Sequence, residues 1–338
     1  MRGINMKKMK MISAFAAVMI AVSVLLTGCS GVGDFSVNKK TVCKIGDYKV
    51  TMDEYKYFFY RHMQDLSISD DTDFSTGENF DLVKEYTESS LKRKVVMMNL
   101  VDKYGIELSD EDRDTINSYV ESQIEEHGDE QGYRDWLLDN RLTGDIFRSQ
   151  VELTFFYDVY LRELLSTGID NIVDMTPAAI YEDVKNNFYR YSQIFLRLDA
   201  GENSLDLEKE INEAYDRLQN GEDFEKVAAD YSEWNVDAGE GTYAAIGEKE
   251  LILEDTVLAL ESGQYSEVKA STEGYHIFLR MDIDDRYVRD NIDKFENQSF
   301  ARRYLDYVAK ESEKLTVDYT QYYFDSVDYY ALTCREEA

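Results

Sequence analysis

The sequence predicts an α+β protein in which a long run of helices precedes a compact segment of mixed helices and strands. From residue 80 to residue 165, apolar side chains recur almost without interruption at the three- and four-residue spacing of amphipathic helices. From residue 191 to residue 280, strand-like alternation opens and closes a stretch with three short helical patterns, in the order β-α-α-α-β-β. A hydrophobic fraction of 43% argues against a disordered chain and supports two domains with separate cores.

Residues 1–29 are predicted to be a targeting segment that takes no part in the fold. A basic start is followed by an apolar run over residues 11–26, which is short for a stable membrane span. The run ends in Leu26-Thr27-Gly28-Cys29, which resembles the bacterial lipobox. This resemblance implies cleavage before Cys29, lipidation of its sulfur and membrane anchoring, with residues 30–40 as a tether. An ordinary signal peptide or an uncleaved anchor is the alternative.

A short hairpin and a series of helices are predicted next. Residues 41–50 indicate a hairpin that turns at Gly46-Asp47, and Thr51 with Glu54 has the spacing of a capping box at the start of a helix. Further helices are predicted over residues 80–104, from Ser109 onward, over residues 133–140 and over residues 143–165. Another helix begins at Thr176-Pro177, with Thr as N-cap and Pro in the first turn.

The C-terminal segment is predicted to return to a helix, and its tail is rich in tyrosine. The helical pattern runs on past residue 280 to Val308, and residues 315–319 form a candidate strand. The tail then contains Tyr319, Tyr322, Tyr323, Tyr329 and Tyr330. Two interpretations remain open, because tyrosine has an apolar body and a polar tip. The tyrosines either pack against the first helices or form an aromatic surface for unfolded polypeptides.

Four motifs in residues 191–283 occur in an order that resembles the parvulin family of peptidyl-prolyl isomerases. They are Asn220-Gly221-Glu222-Asp223-Phe224, Tyr231-Ser232-Glu233, Ser262-Gly263-Gln264-Tyr265-Ser266-Glu267-Val268 and Gly274-Tyr275-His276-Ile277. The resemblance implies a small four-stranded sheet with surrounding helices. It also implies cis-trans isomerisation of X-Pro bonds, a reaction that needs no cofactor.

The hairpin and helices of residues 41–175 resemble the N-terminal chaperone domain of SurA- and PrsA-type foldases. This resemblance implies a linker helix at residues 176–190. It also implies that residues 284–338 pack on the N-terminal domain, so that the parvulin-like segment is an insertion. Both chain ends would then build one domain and could bring Cys43 close to Cys334. The sequence leaves open whether these two cysteines form a disulfide or remain buried thiols.

The parvulin resemblance also implies a set of site residues. His276 is expected to be the catalytic polar group, with Gln193 opposite it where the family usually has a second histidine. Leu253 and Leu258 are expected to form the apolar wall of a proline pocket. Tyr243 is expected at the pocket rim. Trp234 stands where the family has an acid or a thiol and is expected at the substrate pocket, where it either lids the pocket or fills it. These departures predict weak activity with little pH dependence between pH 6 and 8, and no metal site is expected among three scattered histidines.

The net charge of the chain argues against one class of function. A formal charge of -31 argues against nucleic-acid binding, which requires clustered Lys and Arg. The leading hypothesis is a membrane-anchored extracytoplasmic foldase that binds exported unfolded polypeptides and isomerises their X-Pro bonds. One alternative is an isomerase-inactive chaperone with the same fold. Another is a solute-binding lipoprotein, which would require two lobes of alternating strands and helices. The sequence does not predict an oligomeric state.

Overall fold

The two ends of the chain meet in one three-stranded antiparallel sheet. The computed structural model describes residues 38–68, 78–198, 204–233, 239–247, 251–328 and 332. Strands β1 (Thr41–Ile45) and β2 (Tyr48–Thr51) form a hairpin, and the left-handed backbone that its turn requires is supplied by Gly46, at φ +59°. The other edge of β1 pairs with a strand at Val317–Tyr319, with Cys43 opposite Tyr319. The predicted composite domain is therefore confirmed.

Helices α1 (Met52–Asp65) and α2 (Glu78–Tyr104) cover this sheet. Thr51 caps α1 by accepting a hydrogen bond from the backbone N–H of Glu54, as the sequence predicts. The buried face of α1 carries Tyr55, Phe59 and Met63, which share a core with the strands. The left-handed Gly105 ends α2. These helices are stabilised mainly by the packing of their apolar faces on the sheet, and helix propensity adds to this.

The long helix predicted for residues 143–165 is interrupted by π-helical backbone. The relevant helices are α3 (Asp110–Glu126), α4 (Glu130–Asp139), α5 (Gly144–Thr154) and α6 (Arg162–Ser166). A π-helical turn at Phe155–Leu161 joins α5 to α6. Helix α4 begins three residues before its predicted start, because the Asp129 side chain accepts hydrogen bonds from Gln131 N and Gly132 N.

A second, four-stranded antiparallel sheet lies in the inserted segment. Helix α7 (Pro177–Asn187), capped by Thr176, leads directly into this sheet. The strands are β3 (Phe188–Arg197), β4 (Thr242–Ala245), β5 (Lys269–Ala270) and β6 (Gly274–Met281), in the order β4-β3-β6-β5. Its helices are α8 (Ser204–Gln219), α9 (Phe224–Tyr231) and α10 (Leu251–Leu258). The α+β class and the four-stranded sheet are confirmed, although β4, between α9 and α10, is absent from the predicted order β-α-α-α-β-β.

The chain then returns to the first domain. The returning elements are α11 (Asp285–Asp290), α12 (Glu296–Glu313), β7 (Val317–Tyr319) and α13 (Gln321–Ser326). Helix α12 packs against α2, and the Phe300, Tyr304 and Val308 side chains are buried there. Within the described ranges, the strands and helices do not alternate in two lobes, which is the arrangement that the solute-binding alternative requires.

The described tail tyrosines pack against the first helices. The ring centroids of Tyr323 and Tyr55 are 5.6 Å apart, and the Tyr319 hydroxyl donates to Glu88 Oε1 at 2.6 Å. Phe324 is 68% exposed at the end of this cluster. Packing therefore accounts for Tyr319 and Tyr323, whereas Tyr329 and Tyr330 lie outside the described residues.

Several predictions concern residues that the structure does not describe. The signal segment, the lipobox and Cys29 are among them. Cys43 is a buried free thiol, and its predicted partner Cys334 lies outside the described residues. Among the helices that are described, none combines the length and the apolar character needed to cross a bilayer.

Candidate active site

The two faces of the four-stranded sheet have different environments. Successive residues of a strand point to opposite faces, so Ile194 and Leu196 share one face, and Gln193 and Phe195 share the other. Ile194 and Leu196 pack under α8 and α9. The opposite face lies under α10 and also carries Tyr191, together with His276 and Phe278 of β6. The expected catalytic residues therefore lie on the α10 face.

His276 lies in the middle of an uncharged hydrogen-bonded chain on this face. Its Nδ1 atom is 3.3 Å from Gln193 Oε1, and its Nε2 atom is 2.8 Å from Ser271 Oγ. Since the Gln193 oxygen can only accept, Nδ1 carries the proton and Nε2 accepts from the Ser271 hydroxyl. The structure thus brings His276 and Gln193 together, as expected.

The surroundings of His276 keep its ring neutral. The ring is stacked between Phe195, at 4.6 Å, and Phe278, at 5.3 Å between centroids, and His276 is only 3% exposed. Burial lowers the pKa of His276 from its ordinary value of 6.5 to about 4. The imidazole is therefore an uncharged donor and acceptor across the neutral pH range, and Gln193, 7% exposed, adds no charge.

Ser271 is the site residue that the sequence reasoning missed. It lies in the turn between β5 and β6, where its Oγ also accepts from the backbone N–H of Glu273 at 3.1 Å. Its own backbone N–H donates to Gly274 O at 2.8 Å, so the turn holds the hydroxyl in place. A signal was present, because a serine five residues before a strand histidine can fold back over it across a tight turn.

The Tyr231-Ser232-Glu233 motif has a structural role at the edge of β3. Ser232 Oγ accepts from Phe195 N at 3.0 Å and donates to Gln193 O at 3.3 Å. The Glu233 N–H donates to Phe195 O at 2.9 Å, and its side chain accepts from Arg197 N at 3.1 Å. These bonds satisfy backbone groups beyond the point where β4 stops pairing with β3. The motif therefore fixes the strand that carries Gln193.

The two leucines expected in the apolar wall have different positions. Leu253 is partly buried and packs with Tyr189, Tyr191 and Phe278 on the His276 face. Leu258 is 38% exposed and follows the buried Val257. Leu253 thus lies on the His276 face, and the expected role of both leucines in a proline-binding wall remains a prediction.

Tyr243 does not lie at the rim of the His276 site. It pairs with Arg190, which lies on the sheet face opposite to Gln193. Its ring stacks on Tyr287 at 5.2 Å and meets Phe295 edge-on at 5.2 Å. Tyr243 therefore packs the inserted sheet against the helices that follow it, and its expected role in substrate binding is wrong.

The glycine-bearing loop before β4 has its own anchor. The Arg190 guanidinium donates to the carbonyl oxygens of Gly239, Glu240 and Asp282 at 2.9–3.1 Å. A Cβ at Gly241 would lie 2.9 Å from Tyr191 O, so only glycine fits there. Trp234, expected at the substrate pocket, lies outside the described residues. Across the described part of the chain, no cluster of His, Cys, Asp and Glu could hold a metal ion.

Two family models match the chain. One describes a PPIC-type PPIASE domain and covers residues 194–282, and the other describes a SurA-like N-terminal domain and covers residues 1–158. The chain therefore combines a parvulin-type isomerase domain with a SurA-like N-terminal domain, and the resemblance drawn from its motifs is confirmed.

The curated relatives of this chain are named as foldase proteins. The chain is 26% identical to foldase protein PrsA 3 of Bacillus anthracis, over 69% of this chain and 81% of that protein. It is 24% identical to foldase protein PrsA of Halalkalibacterium halodurans, over 64% of this chain and 65% of that protein. A solved structure of PrsA from Bacillus subtilis is similar with 18% identity and a TM-score of 0.27, covering 82% of this chain and 92% of that one. The PrsA structure from Streptococcus pneumoniae has 15% identity and a TM-score of 0.32, covering 81% and 92%.

Proposed function

We propose that this protein is an extracytoplasmic foldase that binds unfolded exported polypeptides and isomerises their X-Pro bonds. The observation that carries the proposal is the neutral chain Ser271–His276–Gln193 on the sheet face that Leu253 covers. Rotation about an X-Pro bond twists the amide and breaks its resonance, which sets a barrier of about 18–20 kcal/mol. No nucleophile or metal is needed to lower this barrier. Uncharged donors in an apolar setting suit this reaction.

In this proposal each residue has a separate role. Leu253 contacts the pyrrolidine ring and excludes water from it. Gln193 uses its side-chain oxygen for His276, so that its amide N–H groups are left to donate to the substrate backbone. His276 and Ser271 hold the Gln193 side chain in orientation. The division into a chaperone domain at residues 41–175, a linker helix at 176–190, an isomerase domain at 191–283 and a returning segment at 284–338 belongs to the same proposal.

The proposed location follows from the N-terminal segment. A signal peptide that ends in a lipobox would leave Cys29 lipidated, and its acyl chains would anchor the protein at the outer face of the cell membrane. Acyl labelling and membrane fractionation of the Cys29→Ala variant test this. Unchanged labelling and membrane association would remove the anchor from the proposal.

An isomerase-inactive chaperone is the second candidate, and one observation favours it. His276 and Gln193 are almost completely buried, and the hydrogen bonds of the His276 ring are satisfied within the protein. In this second candidate the polar pair joins β3, β6 and the Ser271 turn and takes no part in catalysis. In that case the protein binds unfolded chains without accelerating isomerisation.

Isomerisation kinetics of the purified full-length chain separate the two candidates. NMR exchange spectroscopy on short X-Pro peptides measures the rate directly and needs no coupled protease. We expect weak acceleration that stays constant between pH 6 and pH 8, since His276 is neutral throughout that range. The Gln193→Ala variant should lose the acceleration, whereas Gln219→Ala, an exposed glutamine on α8, should retain it. Suppression of client aggregation without any acceleration would support the inactive chaperone.

A further inference from the structure

A buried carboxylate lies inside the apolar layer between α10 and the sheet. Glu254 is only 5% exposed, although it lies on α10, whose Val257 packs with Tyr189 and Ala244 in this layer. Burying a carboxylate is costly unless hydrogen bonds replace the lost water. A leucine at this position would fill the same space without that cost, so packing alone does not explain the charge.

The hydrogen bonds of Glu254 reach two different elements. Both of its carboxylate oxygens accept from the backbone N–H of Gly247, at 3.0 and 2.9 Å. Oε2 also accepts from the Tyr189 hydroxyl at 3.3 Å. Gly247 follows the end of β4 and has a left-handed backbone at φ +95°, and Tyr189 lies in β3. The carboxylate thus ties α10 to the end of β4 and to the central strand.

The anion itself strengthens this connection. Hydrogen bonds to an ionised acceptor are roughly twice as strong as neutral ones. Among the described residues no Lys or Arg forms an ion pair with Glu254, so its negative charge acts on these two donors and not on a cation. Leu253 is the adjacent residue on the same helix and packs on the face that carries His276 and Gln193. Any rotation or shift of α10 would move Leu253 relative to that face.

We propose that Glu254 is a positioning residue that fixes α10, so that Leu253 stays in place as the wall of the proline-binding site. This inference rests on the proposed isomerase function and adds to it the residue that sets the geometry of the apolar wall. Glu254 does not touch the substrate. Its effect reaches the site through Gly247, Tyr189 and the helix that it shares with Leu253.

The test compares two charge-neutralising variants of neighbouring residues in the full-length chain. Glu254→Gln keeps the shape but replaces the anion, and Asp255→Asn removes the same charge from an exposed position one residue further on. Tyr189→Phe deletes one of the two donors and leaves the carboxylate in place. The measurements are KM and kcat for an X-Pro peptide, the melting temperature, and the NMR chemical shifts of the Leu253 methyl groups.

We expect Glu254→Gln to raise KM roughly fivefold with little change in kcat, because the difference of about 1 kcal/mol between a charged and a neutral hydrogen bond corresponds to about a fivefold change in an equilibrium constant. The Leu253 methyl shifts should move in Glu254→Gln and, less, in Tyr189→Phe, while Asp255→Asn behaves as the wild type. A lower melting temperature with unchanged KM and unchanged Leu253 shifts would overturn the inference, because Glu254 would then only stabilise the fold.

The failure of the inference can be distinguished from the failure of the proposed function. If the wild type binds the peptide without turnover, the isomerase proposal fails, and the same comparison is made with Kd in place of KM. If the wild type neither turns over nor binds the peptide, there is no proline-binding wall to position, and both proposals are wrong.

Discussion

At the scale of single residues, His276 makes the stability of the inserted domain depend on pH. Its pKa is about 4 in the folded protein and about 6.5 in an unfolded chain, so the unfolded state binds a proton more readily. The stabilisation is complete above pH 6.5 and is lost as the pH falls from 6.5 towards 4. We expect a loss of up to about 3 kcal/mol in the free energy of unfolding over this window.

Urea unfolding at pH 7 and at pH 4.5 measures this loss, with His276→Asn as the comparison. The variant should show a smaller decrease between the two pH values than the wild type, because it lacks the titrating ring. His62, whose pKa is also lowered by burial, is present in both proteins and cancels in the difference. Equal decreases in the two proteins would mean that His276 is not the group responsible.

At the same scale, the expected His276–Gln193 pair is present, whereas Tyr243 lies on the opposite face of the sheet. The parvulin resemblance implied this pair, and the register of β3 against β6 places both side chains on one face of the sheet. Tyr243 was expected at the pocket rim from the parvulin resemblance, and only the register of β4 against β3 determines its face. Leu258 was expected in the apolar wall from the same resemblance, and its exposure depends on how α10 packs on the sheet.

At the scale of elements, capping residues and apolar periodicity predicted the helices well, whereas strand β4 depends on tertiary pairing. Thr51, Ser109 and Thr176 cap the helices that the sequence assigned to them. Strand β4 was missed because residues 242–245 lack the β-branched run typical of a strand, and its structure comes from pairing with β3. The π-helical turn at Phe155–Leu161 was missed because seven residues are too few to separate its period from that of an α-helix.

Ser232 gives a prediction at this scale, because its hydroxyl forms hydrogen bonds with the β3 backbone that a neighbouring strand would otherwise form. The Ser232→Ala variant leaves Phe195 N without its side-chain acceptor, and we expect it to destabilise the inserted domain by about 1–2 kcal/mol. Ser262→Ala, an exposed serine in the turn before β5, is the matched control and should change stability little. Hydrogen exchange at Phe195 and Arg197 should accelerate in Ser232→Ala only. Unchanged exchange at Phe195 would contradict the edge role of Ser232.

At the scale of the whole molecule, the inserted sheet is joined to the first domain through a packed core instead of a free linker. Ile180 and Val184 of α7, Phe188 of β3 and Val288 of α11 are buried in one cluster with Phe295. Tyr243 adds β4 to this cluster through its contact with Phe295. The predicted linker helix is therefore part of a shared interface, which the sequence could not show because the contacts join residues a hundred positions apart.

The central polar contact of this interface gives the last prediction. Asp183 of α7 has a completely buried side chain that forms an ion pair with Arg302 of α12 and accepts from Asn187 Nδ2 at 2.8 Å. Removing one partner of a buried pair leaves an uncompensated charge, which costs about 3–5 kcal/mol, whereas replacing both by apolar residues is often neutral. We therefore expect Arg302→Met to destabilise the protein strongly and Asp183→Leu with Arg302→Met to recover most of the loss.

Arg286→Met, which removes an exposed partner of Asp290, is the control and should lower the free energy of unfolding by less than about 1 kcal/mol. Urea unfolding of these variants checks this, and additive losses in the double variant would show that the two side chains do not stabilise the interface as a pair.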